Sequence, residues 1–240
     1  MFLADPDRLG APVVVLDGTE GRHAALVRRL RVGERVDLTD GVGQVARCEV
    51  EEASRSSLRC RVLDRYAEPP ATPRLVVVQA LPKGDRGELA VELLSEVGVD
   101  VIVPWAAARC VTRWRGDRAA TSLAKWRAAA REATKQARRA WLPEVRDLAS
   151  TEQVAALLSG SAVGVVLHES ALRPAAGLEA PAVGDVVLVV GPEGGISPDE
   201  LRLFAGAGAE SVRLGPTVLR TSTAGVVAAG VLLSRTPRWR

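Results

Sequence analysis

Beyond residue 73 the chain alternates between uninterrupted apolar runs of strand length and stretches with the spacing of helices. RLVVVQAL, VDVIVPW, AVGVVLH, DVVLVVG and ESVRLG are the apolar runs. Most lack the strict alternation of a strand with one wet face, so they read as strands covered on both sides. Around them lie DRGELAVELLSEVG, a long basic segment over residues 117–139, TEQVAALLS, SPDELRLFAGAG and TSTAGVVAAGVLLSR. Strand and helix in repeated alternation predict an α/β domain on a parallel sheet, with any ligand beyond the carboxyl ends of the strands.

The first 68 residues follow another grammar. APVVVLD, ERVDLTD, GQVARCEV and SSLRCRVL are short β-favouring stretches separated by Gly, Asp and Ser turns, with HAALVRRLR as one helical interruption. They predict a small β-barrel or twisted sheet. YAEPPATP, residues 66–73, carries three prolines in eight residues and reads as a linker. The expected organisation is a small β domain over 1–68 and an α/β domain over 74–240.

Apolar residues make up 47% and charged residues 25% of the chain, the balance of a globular protein. No apolar run reaches the roughly 18 residues of a membrane span, and MFLADPDRLG lacks the basic-then-apolar order of a secretion signal. A cytoplasmic protein without membrane contact is the expectation. Cys48, Cys60 and Cys110 have no C-x-x-C spacing, which argues against a disulfide framework or a zinc site. They read as core residues, and no metal is expected.

The net charge is only +3, but it is unevenly spread. Residues 74–146 hold 14 bases against 8 acids, while both flanks are slightly acidic. From Arg109 to Arg146 eleven bases face three acids, the pattern of a face that binds a polyanion or of a solvated helix. Trp114, Trp126 and Trp141 sit among them, either as stacking platforms for bases or as the buried stripe of the same helix.

One strand ends in a glycine loop, LVVGPEGGISPDE. Ser197, Pro198 and Glu200 specify the start of the next helix as N-cap, first helical residue and capping-box partner. Neither the P-loop nor the dinucleotide fingerprint is present, and a carboxylate at Glu193 would repel a pyrophosphate. The loop therefore suits backbone approach to a neutral or cationic ligand. RLGPTVLRTSTAG makes a second such turn at Gly215, with Thr221 or Ser222 as the cap of the next helix. The two turns read as one shared pocket or as two ordinary tight turns.

GPEGGIS followed by an acidic residue, with LGPTVLRTSTA about twenty residues later, resembles the paired motifs of the SPOUT superfamily of knotted RNA methyltransferases. Within it the chain is similar to the ribosomal small subunit RNA methyltransferase E family, which methylates N3 of a uridine, uracil 1498, in 16S rRNA. HAALVRRLRVGERVDLTDG resembles that family's N-terminal PUA-like module, QALPKGDRGELAVELLSEVGV its first strand and helix, and KWRAAAREATKQARRAWLPEV its Arg-rich central helix. The resemblance spans nearly the whole chain. It implies a C-terminal trefoil knot, a homodimer, S-adenosylmethionine as methyl donor and 16S rRNA, in the small subunit or its precursor, as partner.

Carried over by position, the cofactor residues are Leu167, His168 and Glu169 at one strand end, then Val190, Gly191, Pro192, Glu193, Gly194, Gly195 and Ile196. The third group is Leu214, Gly215, Val218, Leu219, Thr221, Thr223 and Ala224. Backbone groups at Gly191, Gly195, Leu214 and Leu219 suit the adenine edge. Glu193 suits either the sulfonium charge or a hydroxyl. Arg220 is the catalytic candidate, stabilising the anion that develops on uracil as N3 loses its proton. Ser222 stands where many relatives have Glu, which puts a carboxylate base at that position in doubt. Arg28, Arg29, Lys83, Arg86, Arg109, Arg113, Arg131 and Arg138 are the candidate RNA contacts. His23 reads as a packing or an RNA-contacting residue. Two other classes stay open: a non-catalytic ribosome- or RNA-binding factor on the same scaffold, and a nucleotide-dependent oxidoreductase, which the missing fingerprint disfavours.

Overall fold

A computed structural model describes residues 1–239, and its contacts divide the chain into two units. One is Met1–Pro70 with Thr134–Leu142, the other Ala71–Ala133 with Pro143–Arg240.

The first unit runs β1 (Phe2–Leu3), α1 (Pro6–Leu9), β2 (Val13–Leu16), α2 (Gly18–Arg22), β3 (Arg35–Thr39), β4 (Gln44–Ala53) and β5 (Leu58–Ala67). Its five strands form one sheet in the order β1-β3-β4-β5-β2, antiparallel except where β1 joins β3. Val14, Leu16, Val36, Leu38, Cys48, Val50, Leu58 and Cys60 bury the inner face. Their period of two is what the sequence displays. Burial pushes the Cys48 thiol up to about 12 and that of Cys60 to about 11, as suits core residues. HAALVRRLR does not form a helix of its own. The helix begins earlier, at Gly18, and passes into a single π turn, His23–Val27, closed by the Arg28 N–H to His23 carbonyl bond of 3.0 Å. Arg29 at φ +54 ends it.

Thr134–Leu142 belongs to this unit through specific bonds. The Thr39 hydroxyl donates to the Ala140 carbonyl (3.0 Å), the Leu142 N–H to the Gly41 carbonyl (2.9 Å), and the Trp141 indole N–H to the Glu68 carbonyl (2.8 Å). Lys135, with 6% of its side chain exposed, places Nζ 2.8 Å from Glu20 Oε1. No boundary in the sequence separates this segment, because its first residues continue a helical run.

The second unit contains β6 (Arg74–Ala80), α3 (Arg86–Val97), β7 (Val101–Trp105), α4 (Asp117–Gln136), β8 (Glu144–Val145), α5 (Thr151–Ser159), β9 (Val163–Leu167) and β10 (Arg173–Pro174). β11 (Asp185–Val190), α6 (Pro198–Gly206), β12 (Glu210–Arg213) and α7 (Thr221–Leu233) complete it. The last turn of α4 falls within the first unit's segment. Seven strands pair in the order β10-β12-β9-β11-β6-β7-β8, every pair parallel. The central strands are buried on both faces: Leu75 to Val78, Val101 to Val103 and Val186 to Val190 are all at most 2% exposed. Each such side chain contributes about 1.5–3 kcal/mol. This is the α/β class with a parallel sheet that the apolar runs imply.

α7 carries no charged residue and lies close against α3; a Cβ on Gly225 would stand 3.1 Å from Leu94 Cδ2 and 3.3 Å from Val190 Cγ2. Neither Thr221 nor Ser222 caps it. Both are buried in its first turn, and the N-cap is Arg220 without a side-chain bond. The Ser197 capping box at α6 is formed as read. Of the three tryptophans in the basic stretch only Trp126 lies on α4. It is 3% exposed, edge-on to Trp114 at 5.1 Å. The stripe reading therefore holds for Trp126 alone, and its buried ring is not a stacking platform. Among the described residues no helix is long and apolar enough to cross a membrane.

Candidate functional site

Parallel strands end on the same side of their sheet, so β9, β11 and β12, which are adjacent, deliver their following loops to one place. A cavity of about 370 Å³ lies there. It is lined by Leu167, His168 and Glu169 after β9, and by Val190, Gly191, Pro192, Glu193, Gly195 and Ile196 at the end of β11. Arg213, Leu214, Gly215, Thr217, Val218, Leu219, Arg220, Thr221 and Ala224 follow from β12 into α7, and Arg86 comes from α3. The shared pocket, not two independent turns, is what the structure contains. Gly194 and Thr223 stand outside this lining. Gly194 lies on the Arg109 backbone, and Thr223 directs its hydroxyl to the Arg220 carbonyl at 3.2 Å.

The glycine loop has local reasons for its sequence. A Cβ on Gly191 would stand 2.7 Å from Ile196 Cγ1, and Gly195 adopts φ +73, which side chains disfavour. Behind the loop sits Glu200, 4% exposed. Its Oε1 accepts from the Ala108 N–H (2.7 Å) and the Thr151 hydroxyl (3.3 Å), its Oε2 from the Ser197 N–H (2.8 Å). The capping-box residue thus also ties the loop after β7 to the loop after β11. Arg109 adds a bond from Nη1 to the Gly194 carbonyl at 3.2 Å, and the Thr112 hydroxyl donates to the Pro82 carbonyl at 2.7 Å.

Polar groups reach the cavity in definite states. Glu193 Oε1 accepts from the Lys83 N–H at 3.2 Å and lies 3.9 Å from Arg86 Nη1. His168 Nδ1 accepts from the Ser170 N–H at 3.2 Å, so a neutral His168 carries its proton on Nε2 and is a donor there. The side chains of Glu169, Arg213 and Arg220 have no hydrogen-bonding or ionic partner among the described residues. Ser222 is 3% exposed and is not part of the cavity wall.

The basic candidates separate into groups. Lys83, Arg86 and Arg109 gather around Glu193 and Gly194. Arg113 folds back, with Nη1 and Nη2 donating to the Ala107 and Ala108 carbonyls at 3.2 and 3.0 Å. Arg131 is exposed on α4, while Arg28, Arg29 and Arg138 are exposed in the first unit. Arg213 entered the cavity without being read from the sequence, and Thr217 entered it from within the stretch 214–224 without being singled out. Their positions beside Leu214 and Val218 in the motif were the available signal.

Comparison with known proteins bears on this geometry. Residues 69–233 match the model of the RNA methyltransferase domain, and residues 16–63 that of the RNA methyltransferase PUA domain. The Mycobacterium tuberculosis protein named Ribosomal RNA small subunit methyltransferase E is 52% identical over 231 residues, 95% of this chain and 88% of that one. The Bacillus subtilis protein of the same name is 27% identical over 94% of this chain and 91% of its own length. A Legionella pneumophila structure with bound cofactor SAM superposes with a TM-score of 0.84 at 27% identity, covering 98% of this chain and 97% of that one. With a domain match over most of its length and a relative of this identity, the chain belongs to the RNA methyltransferase family, among the ribosomal RNA small subunit methyltransferases E.

Proposed function

We propose that this chain transfers a methyl group from S-adenosylmethionine to N3 of one uridine in small-subunit ribosomal RNA. The observation that carries the reading is the convergence of three strand-end loops on one apolar-walled cavity whose lining includes the unpartnered Arg220. At about 370 Å³ the cavity lies within the usual range for a cofactor or small ligand.

The residues present fit such a cofactor. Leu167, Val190, Ile196, Leu214, Leu219 and Ala224 offer apolar faces for a purine ring. Gly215 has neither a left-handed φ nor a heavy atom within 4 Å of where a Cβ would stand, so its missing side chain leaves backbone open to a ligand. Glu169 supplies a free carboxylate for a hydroxyl or ammonium group. Glu193, already bound to the Lys83 N–H, reads as a tie that shapes the loop. When bound, the cofactor supplies an activated methyl group, so the chain's task is alignment.

Uracil N3 becomes a nucleophile as its proton passes to solvent water and the negative charge spreads to O2 and O4. Arg220 stabilises that charge in this account, with the His168 Nε2–H as a second donor. Ser222 takes no part as a base. The family's expected trefoil knot and homodimer belong to the same proposal, as do RNA contacts by Lys83, Arg86 and Arg109. The non-catalytic alternative drew its support from Ser222. Because that residue is buried outside the cavity lining, the departure leaves the walls intact.

Calorimetric titration with S-adenosylmethionine and mass spectrometry of rRNA from a deletion strain test the reading. Saturable binding and loss of one N3-methyluridine are expected; no binding together with unchanged rRNA contradicts it.

A further inference from the structure

Three guanidiniums line the cavity, and only one has a counter-ion there. Arg86 faces Glu193, whereas Arg213 and Arg220 are both unpartnered among the described residues. These two are the ends of a single loop. Arg213 is the last residue of β12, Arg220 is the N-cap of α7, and residues 214–219 run between them. The nearest acid in Arg213's own strand, Glu210, is committed to Arg173. Of the carboxylates in the lining, Glu193 is engaged and only Glu169 is free. Both side chains are exposed where they line the cavity, and their positive potential there attracts an oxyanion.

The proposed methyl transfer gives Arg220 the uracil ring and leaves Arg213 without a task. We propose that Arg213 is a substrate-binding residue whose guanidinium holds the phosphate of the target uridine. This inference rests on the function proposed above. A planar fork of donors suits two phosphate oxygens at once, which a lysine ammonium does not reproduce. Arg213 sits at the end of a strand paired with β9 and β10, at Val212 with Leu167 and Arg213 with Pro174. A phosphate fixed there is fixed relative to His168 and Glu169, which follow β9. The cofactor's own carboxylate is the other oxyanion with this chemistry, and the experiment distinguishes the two.

Arg213→Ala and Arg213→Lys are compared with the full-length wild type for S-adenosylmethionine affinity, for KM and kcat on small-subunit rRNA, and for the salt dependence of RNA binding. For Arg213→Ala the expectation is cofactor affinity within about twofold, an rRNA KM raised about tenfold with a smaller change in kcat, and a salt slope shallower by about 0.7–0.9. Arg213→Lys restores the slope but only part of the KM. Weakened cofactor binding with unchanged rRNA KM would assign Arg213 to the cofactor carboxylate and overturn the proposal, as would an unchanged KM and slope. A wild type that transfers no methyl to rRNA refutes the underlying function instead, since the salt slope is read without turnover.

Discussion

Glu193 and Lys83, 110 residues apart in sequence, are joined by a hydrogen bond of 3.2 Å from the Lys83 N–H to the Glu193 carboxylate. The bond ties the glycine loop after β11 to the loop that leads into α3, with Arg86 3.9 Å away on the same carboxylate oxygen. Glu193→Gln keeps an acceptor for that N–H, while Glu193→Ala keeps none. Titration calorimetry is expected to show cofactor affinity near wild type for the glutamine variant and about tenfold weaker for alanine, the loss of roughly one hydrogen bond. An equal loss in both would show that the negative charge itself matters, and the tie would not be its role.

Gly191 allows the chain to pass beneath Ile196. With a Cβ contact of 2.7 Å to Ile196 Cγ1, Gly191→Ala must displace the loop, an overpacking cost of about 1–3 kcal/mol. Cofactor affinity falls by about tenfold or more in that variant. Adding Ile196→Ala makes room and recovers part of the loss. A double variant worse than the sum of the two singles contradicts this steric account.

Glu200 satisfies two backbone N–H groups and a hydroxyl from a buried position. Glu200→Ala orphans the Ala108 and Ser197 N–H groups at a cost of about 2–4 kcal/mol in urea unfolding. Glu200→Gln falls between, because only one of its terminal atoms accepts. A loss below about 0.5 kcal/mol for alanine, the level of an ordinary surface change, rules the network out as a structural tie.

Much of this was legible beforehand for a physical reason. Ser197, Pro198 and Glu200 are local signals, and β6, β7 and β11 carry continuous apolar runs, Leu75 to Val78, Val101 to Val103 and Val186 to Val190, because both faces are covered there. What stayed hidden depends on distant partners. β10 is only Arg173–Pro174 and exists because β12 lies beside it. The order of parallel strands leaves no trace in the apolar runs themselves. Arg213 carries no periodic signal as a lone base at a strand end, and only its position beside Leu214 in the motif points to the cavity. Thr221 and Ser222 have the chemistry of caps, yet α7 buries both, and burial outweighed the local preference.

Arg74 and Asp185 give a pH dependence with a definite sign. Arg74 Nε donates to Asp185 Oδ1 at 2.9 Å, and this bond holds the Asp185 carboxyl below its ordinary 3.8. A value lowered on folding contributes stability that is present above 3.8 and is lost as pH falls through the folded-state value. Both groups are partly exposed, so Arg74→Ala costs up to about 1 kcal/mol at pH 7. That difference shrinks toward zero in strong acid. Urea unfolding at neutral and acid pH checks it, and an equal difference at both would contradict the assignment.

The central claim is methyl transfer to uridine N3 with Arg220 stabilising the developing anion. Its most direct measurement is transfer of a labelled methyl group from S-adenosylmethionine to small ribosomal subunits by wild type and Arg220→Ala, with the product nucleoside identified by mass spectrometry. The expected result is N3-methyluridine at one site for wild type, and at least a hundredfold slower transfer by a variant that binds the cofactor normally. Methylation at another atom, or wild-type turnover by Arg220→Ala, would contradict the account.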